Sequence, residues 1–270
     1  MPVSMYIGGK EHSVLHLLYS RFVNMVMYEM GYVPSEEPFE KFRAHGLLIK
    51  DGAKMSKSKG NVINPDDYIA KFSSDTVRMY LMFLGDMRQG GDWRDSGIAG
   101  MHKFINRIWN IQEKISGKNK LKNLLHKTIK GVGDDLEKIK YNTAIAKLMI
   151  LVNKIYDEGC SKTEFETFLI LLSSFAPHIS EELWQQSGHN GSIFREKWPD
   201  YDSELVKDKK ITLIVQINGK LRDSFEVAAD ISEEEVKKMA LKSEKIKKFI
   251  GNKEIKKVIY VKGKIINMVI

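Results

Sequence analysis

Apolar residues recur at helical spacing near the start of the chain, between residues 11 and 30. These residues are Leu15, Leu18, Tyr19, Phe22 and Val26. Gly31 comes directly after this stretch and predicts the end of a helix. Residues 31–45 contain Pro34 and Pro38, which predicts an irregular connection. The apolar sequence HGLLIK then predicts a short buried strand.

A helical pattern fills the middle of the chain from residue 95 onward. It divides into four segments, at residues 95–116, 119–139, 141–157 and 161–187. Pro177 interrupts the last segment, and the connections between the segments are short. Short connections between amphipathic helices are typical of a helical bundle. Upstream of the bundle, Asn64 precedes Pro65 and two aspartates, which favours the start of a further helix.

The last part of the chain has the pattern of a small sheet with one helix. Asn218 and Gly219 separate the alternating stretches ITLIVQI and LRDSFEV, and this arrangement predicts a β-hairpin. Ser232 and Glu235 form a capping-box pattern that predicts a single helix up to about Ile250. EIKKVIYV and KIINMVI predict two further strands. The order β-β-α-β-β describes a compact α+β domain.

Positive charge is concentrated in the same C-terminal part. The chain of 270 residues has 43 Lys and Arg against 35 Asp and Glu, a net charge of +8. Residues 207–270 hold 16 basic and 9 acidic side chains and contribute +7, whereas residues 1–206 contribute +1. Such a field on a small folded unit suits a polyanionic partner such as nucleic acid. A lysine-rich surface that only keeps the protein soluble would show the same charge.

The composition fits a folded protein without disulfides. Hydrophobic residues make up 43% of the chain, which is enough for real hydrophobic cores. Cys160 is the single cysteine, so no intrachain disulfide can form. No stretch approaches the roughly 20 apolar residues of a membrane helix, and the N-terminal sequence lacks a signal-peptide pattern. We therefore expect a cytoplasmic protein without a membrane partner.

The sequence GAKMSKSKGN at residues 52–61 is the strongest candidate for chemistry. It follows the predicted HGLLIK strand, and open α/β sheets bind ligands where their strands end. Its lysines can neutralise negative charge that builds up on phosphate groups. The flanking Gly52 and Gly60 suit a loop that opens and closes. The alternative is a solvated surface loop of the same composition.

This loop contains KMSKS at residues 54–58, the signature of class I aminoacyl-tRNA synthetases. Further stretches resemble bacterial leucyl-tRNA synthetases, namely PVSMYIGGKEHSVLHLLYSRF, YNTAIAKLMILVNKI, FAPHISEELW and VQINGKLR. The resemblance runs across essentially the whole chain. Valyl and isoleucyl enzymes share the loop and the helical bundle and are the nearest alternatives, but YIGGKEH and VQINGKLR favour the leucyl family.

The resemblance implies which residues bind ATP, supplied as its complex with Mg²⁺. Those expected at the adenosine of ATP or of the adenylate are Gly8, Gly9, Glu11, His12, Gly46, Leu47 and Leu48. Those expected to act on the phosphates as catalytic residues are Lys54, Ser56 and Lys57, with Met55 and Ser58 in support. The basic C-terminal domain is expected to bind leucine-accepting tRNA. Its candidate phosphate contacts are Lys220, Arg222, Lys237, Lys238, Lys245 and Lys248.

The implied fold is multidomain and combines α/β, all-α and α+β parts. Residues 1–70 would be the C-terminal part of a Rossmann catalytic domain that carries the lysine loop. Residues 71–205 would form a stem-contact region and a helical bundle of the anticodon-binding type. Residues 206–270 would form the basic tRNA-binding domain.

The chain departs from the family pattern because the His-x-Gly-His signature does not occur in it. That signature, the leucine pocket and the editing domain belong to an N-terminal catalytic half, which we expect as a partner in the same full-length chain or as a separate subunit. We expect no leucine activation by this chain alone. Half of a sheet would also leave apolar residues of the segment 1–60 exposed. A non-catalytic RNA-binding relative of the family is the alternative.

Two further side-chain pairs invite an interpretation. His12 and His16 lie four residues apart on a predicted helix and could share a metal ion. The sequence offers no evident third ligand, so a nucleotide contact is the favoured role for His12 and no protein metal site is expected. Asp75 and Arg78 are predicted to form a structural ion pair.

Overall fold

The computed structural model describes residues 1–117, 119–207, 210–228, 231–251, 254–261 and 263–270. The chain folds into two compact units, residues 1–202 and residues 203–270. The first unit combines two small sheets with a helical bundle, and the second is a four-stranded sheet with helices.

The first sheet is a parallel pair, β1 (Tyr6–Gly9) with β2 (Phe42–His45). A 3₁₀ turn at Lys10–Ser13 and helix α1 (His16–Glu29) connect the two strands. The helix thus begins later than its apolar pattern predicts. The prediction of an irregular segment over residues 31–45 is wrong at β2, because a strand of four residues is too short to show a clear alternation.

The second sheet has the strand order β4-β3-β5. Its strands are β3 (Leu48–Lys50), β4 (Ala53–Lys54) and β5 (Gly91–Trp93). Strand β3 runs antiparallel to β4 and parallel to β5. Two helices, α2 (Pro65–Phe72) and α3 (Ser74–Phe83), come between β4 and β5 in the chain. The predicted helix start is confirmed, since the Asn64 side chain accepts a hydrogen bond from the Asp66 N–H.

The predicted helical segments are all present. They are α4 (Asp95–Trp109), α5 (Lys122–Glu137), α6 (Tyr141–Glu158), α7 (Lys162–Ser173) and α8 (Pro177–Gln186). Pro177 occupies the first turn of α8, where its missing N–H costs no hydrogen bond. Helix α4 is shorter than predicted, because a 3₁₀ turn at Asn110–Lys114 replaces its last part.

One continuous hydrophobic core fills the bundle and reaches the second sheet. Its largest fully buried side chains include Phe165, Phe168 and Phe175. Trp93 of β5 belongs to the same core and packs edge-on against Tyr80 of α3. The packing of Trp93 therefore fixes strand β5 against the helical bundle. None of the helices in the described ranges is long and apolar enough to cross a membrane.

The second unit has the strand order β7-β6-β9-β8. Its elements are α9 (Ser203–Val206), β6 (Lys210–Ile217), β7 (Lys220–Ala228), α10 (Glu233–Lys242), α11 (Glu244–Ile250), β8 (Lys257–Val261) and β9 (Ile265–Val269). The hairpin is confirmed, with φ of 50° at Asn218 and 75° at Gly219. The prediction of a single helix is wrong, because Ser243 adopts an extended backbone and caps α11 separately.

Burial controls the chemistry of the single cysteine. Cys160 is fully buried, and burial raises the pKa of its thiol to about 11. Only the thiolate reacts readily with alkylating reagents. We expect iodoacetamide at pH 8 to modify Cys160 at least tenfold more slowly in the folded protein than in urea, measured by mass spectrometry. Equal rates in the two states would contradict the buried position.

Candidate functional site

A cleft of about 990 Å³ opens where the two small sheets of the first unit meet. The basic side chains of Lys10, Lys54 and Arg88 line it, together with the acidic side chains of Glu11 and Asp92. Three basic residues from distant parts of the chain thus line one concave surface, and Arg88 is paired with Asp86 at 3.3 Å. Such a surface suits an anionic ligand.

Two glycines form the floor of this cleft, where the backbone leaving β2 crosses the loop before β5. The N–H of Gly46 donates to the carbonyl of Met87 at 2.8 Å. A Cβ on Gly46 would lie 2.2 Å from the backbone of Gln89, and one on Gly90 would lie 2.0 Å from the carbonyl oxygen of Leu47. Both positions therefore exclude any side chain. Behind this crossing lies an apolar cavity of about 350 Å³.

The lysine loop has a defined shape between its two glycines. Gly52 and Gly60 have φ of 77° and 64°, and a 3₁₀ turn at Lys57–Lys59 ends at Gly60. Asn61 returns to the start of the loop, where its Oδ1 accepts from the Ser56 N–H at 2.8 Å and its Nδ2 donates to the Lys54 carbonyl at 3.2 Å.

The structure brings together some of the predicted nucleotide residues. Those that line the cleft are Glu11, Gly46, Leu47 and Lys54. Gly8 and Gly9 end β1, His12 follows them in the 3₁₀ turn, and Leu48 borders the apolar cavity. Met55 packs against the main core. Ser56, Lys57 and Ser58 lie in the loop outside the cleft lining, with the two serine hydroxyls 2.8 Å apart.

The two histidines after β1 have different surroundings. The Nδ1 atom of His12 is buried and has no hydrogen-bond partner among the described residues. The Nδ1 atom of His16 lies 3.1 Å from the hydroxyl of Tyr6. In the described part of the chain, no three His, Cys, Asp or Glu side chains come together as metal ligands.

Four polar residues near the loop are additional to those predicted from the sequence. They are Lys10, Asn61, Arg88 and Asp92. Asp92 accepts from the Gly52 N–H at 3.1 Å and pairs with Arg94 at 3.0 Å, and the Gly52 bond contributes most to lowering the pKa of its carboxyl. The sequence GDWRD offered a weak signal, since it sets charges directly around a buried strand residue.

The predicted ion pair of Asp75 and Arg78 is wrong. Asp75 is buried, and its carboxylate contacts the His178 ring nitrogen and accepts from the Ile179 N–H, each at 2.8 Å. Arg78 is exposed, and the structure, which describes both residues, shows no ion pair between it and Asp75. A buried carboxylate at the first turn of α8 satisfies a free N–H there, and this bond ties α3 to the bundle.

The second unit presents most of its predicted tRNA contacts to solvent. The exposed ones are Lys220, Lys237, Lys238, Lys245 and Lys248. Lys245 pairs with Asp223 at 3.5 Å. Arg222 is half-buried, and its guanidinium carbon lies 4.0 Å from the centre of the Phe249 ring. This contact holds a planar cation against an aromatic face.

Two family models match the chain. Residues 1–94 match "tRNA synthetases class I (I, L, M and V)", and residues 118–238 match "Anticodon-binding domain of tRNA ligase". Leucine-tRNA ligases from Pseudothermotoga lettingae and from Dehalococcoides mccartyi strain CBDB1 are 41% and 44% identical over the whole chain. The chain is therefore similar to class I tRNA synthetases over both matched segments.

A solved structure agrees with this family. The LeuRS encoded by agnB2 of Agrobacterium radiobacter K84, in a ternary complex with tRNA and LeuAMS, matches the whole chain with a TM-score of 0.82 and 33% identity. The chain covers 38% of that protein and 36% and 35% of the two ligases. It therefore spans about a third of the length of these class I synthetases.

Asp95 connects the helix after the lysine loop to β5, and its contribution to stability depends on pH. Its carboxylate accepts from the Tyr68 hydroxyl at 2.6 Å and from the Trp93 indole N–H at 3.2 Å. These bonds, the Tyr68 bond most, lower the pKa of the carboxyl. This stabilisation is present above the unfolded-state pKa and is lost as the pH falls through the folded-state pKa.

We expect Asp95→Asn to unfold at a lower temperature than the wild type at pH 7. The difference should shrink at a pH well below the ordinary aspartate pKa of about 3.9, because the lowered pKa of Asp95 delays protonation of the wild-type carboxylate. Circular dichroism melting curves at both pH values measure it. A difference that grows toward acid would contradict the assigned hydrogen bonds.

Proposed function

We propose that this chain is part of a leucine-tRNA ligase and supplies its lysine loop, part of its ATP site and its tRNA-binding surfaces. The observation that carries this proposal is the position of Lys54, which faces a cleft with Lys10 and Arg88 in a chain matched end to end by leucine-tRNA ligases. In the proposed reaction, the leucine carboxylate attacks the α-phosphorus of ATP and pyrophosphate leaves. A hydroxyl of the terminal adenosine of the tRNA then attacks the leucyl carbonyl, and AMP leaves.

The cleft suits the first of these steps. Negative charge builds up on the phosphoryl oxygens and on departing pyrophosphate, and preorganised cations stabilise it. Lys54 and Lys57 would hold these phosphates, with Ser56 and Ser58 as hydrogen-bond donors and Mg²⁺ bound to the ATP. The loop must close over the ATP for Lys57 to reach it, which the glycine hinges allow.

The adenosine would bind between the ends of β1 and β2. Gly8 and Gly9 allow close approach of a ligand to the backbone, and Glu11 lines the cleft. The unpartnered Nδ1 of His12 supports a ligand contact, because a buried polar atom without a partner is costly. Gly46 and Leu47 at the glycine crossing would face the adenine, and Leu48 would support it from the apolar cavity.

The exposed face of α1 supports a covering partner. Of the residues of α1, all of which the structure describes, only Asn24 is buried. Large apolar side chains on the surface of this helix and its flanks include Val14 and Phe22, each 68% exposed. An apolar surface of this extent marks an interface. The proposed occupant is the N-terminal catalytic half of the synthetase, with the His-x-Gly-His signature and the leucine pocket, and this chain alone is expected to be inactive.

The chain would comprise three domains, and two of them would contact tRNA. Residues 1–70 are proposed as the C-terminal part of the Rossmann domain and residues 71–205 as the stem-contact and anticodon-binding-type bundle. Residues 206–270 are proposed as the basic domain that contacts tRNA phosphates. The acidic residues Glu233 to Glu235 crowd the first turn of α10, so the positive field lies toward its later turns and α11. The cytoplasmic location expected from the sequence stays a prediction.

Removing the loop lysines tests the catalytic role. We expect Lys54→Ala and Lys57→Ala each to lower the rate of leucine-dependent ATP-pyrophosphate exchange about 100-fold in the assembled synthetase, because each removes a cation from the developing charge. Affinity for leucine tRNA should change less than twofold. Lys103→Ala, on an exposed part of α4, is the control for charge and should keep its activity. Equal loss of exchange and of tRNA affinity would contradict this division of roles.

Salt dependence tests the tRNA surface. Replacing Lys237, Lys238, Lys245 and Lys248 together with alanine should weaken binding of leucine tRNA to the chain and flatten the plot of log K against log salt. The slope should fall by about 0.7 to 0.9 for each tRNA phosphate that the variant no longer neutralises. Lys257→Ala, on strand β8, is the control and should leave the slope unchanged. An unchanged slope in the fourfold variant would show that these lysines are only solvated.

A further inference from the structure

Asn61 closes the lysine loop from within. Its amide bonds to the backbone of Lys54 and of Ser56, so it spans Met55, and Met55 in turn packs against the main core. The two bonds therefore fix the backbone on either side of Met55, the residue that follows Lys54. An asparagine amide can do this because it presents one donor and one acceptor group in one plane.

Asp92 holds the loop from outside. Its Oδ1 accepts from the N–H of Gly52, the first hinge of the loop, while its Oδ2 accepts from the Arg94 guanidinium at 3.0 Å and 3.1 Å. Asp92 lies on β5, which Trp93 anchors in the main core. The Gly52 hinge is thus tied to the rigid strand β5. No neighbouring atom crowds Gly52, since a Cβ there would meet open space.

The two contacts have different consequences for motion. The Asn61 bonds lie within the loop, whereas the Asp92 bond, together with the pairing of β4 with β3, joins the start of the loop to the sheet. Asp92 also lines the cleft beside Lys54, and its charge is already engaged by Arg94. A carboxylate compensated in this way can stand near a polyphosphate with less repulsion.

We propose that Asn61 and Asp92 are positioning residues that set the lysine loop for phosphate binding, Asn61 by fixing the internal shape of the loop and Asp92 by latching its Gly52 hinge to β5. Neither side chain needs to touch the nucleotide. The loop backbone is then already ordered before ATP binds, so its ordering is not required at each turnover. This inference rests on the proposed function for its catalytic effect, but not for the anchoring itself.

Tryptic cleavage of the purified chain tests the anchoring without any activity. The loop offers cleavage sites after Lys54, Lys57 and Lys59. We expect Asn61→Ala and Asp92→Ala to raise the rate of cleavage at these sites at least fivefold under native conditions, followed by mass spectrometry. Asp92→Asn keeps an acceptor for the Gly52 N–H and should stay within twofold of the wild type. Asn64→Ala, which removes the cap of α2 three residues later, is the matched control and should not change cleavage within the loop.

Exchange kinetics of the assembled synthetase test the catalytic consequence. We expect Asn61→Ala to lower kcat/KM for ATP 10- to 100-fold, Asp92→Ala to lower it about 10-fold, and Asp92→Asn to restore most of the loss. The KM for leucine should stay within twofold in each variant.

The outcomes separate the two proposals. Unchanged loop cleavage in Asn61→Ala and Asp92→Ala would overturn the anchoring, whatever the activity. Faster cleavage with unchanged kcat/KM for ATP would overturn the positioning role. A wild-type assembly without exchange would contradict the proposed function instead, and loop cleavage would still decide whether these residues hold the loop.

Discussion

The crossing of two backbones at Gly46 and Gly90 determines the arrangement of the candidate site. Because neither position tolerates a side chain, the segment leaving β2 and the loop entering β5 can approach to hydrogen-bonding distance. That approach aligns β3 with β5, which sets Lys54 beside Asp92 and Arg88. The lysine loop, the cation-lined cleft and the apolar cavity behind it all depend on this one contact. A methyl group at either glycine would force these two backbone segments apart.

The helical core transmits rigidity to this crossing. Trp93 and Tyr80 pack in the same core as the phenylalanines of α7, and Asp75 joins α3 to the start of α8. The elements that flank the lysine loop are therefore held by residues a hundred positions away in the chain. This arrangement gives the loop a firm base while its own residues remain at the surface, which is the usual division between a scaffold and a functional loop.

Local signals in the sequence predicted local structure well. Asn64, the Asn218-Gly219 turn and the Ser232 capping box each specify geometry within a few residues, and each is confirmed. Short strands such as β2 and β5 were missed, because their pairing partners lie 36 to 43 residues away in the paired register. The lysine loop was recognisable from its motif. Its supports at Lys10, Arg88 and Asp92 were not, since only the folded backbone brings them to the loop, and the partner of Asp75 was misjudged for the same reason.

The exposed surface of α1 has a consequence for how this part of the protein denatures. A helix that buries only Asn24 gains little from its own unit, whereas the bundle has a complete core. The stability of α1 then depends on partner binding. A partner L bound to its apolar face adds RT ln(1 + [L]/Kd) to the free energy of unfolding. The region around α1 would melt at a temperature that rises with partner concentration, while the bundle would melt at a nearly constant one. Two thermal unfolding transitions that merge as the partner is titrated would indicate assembly.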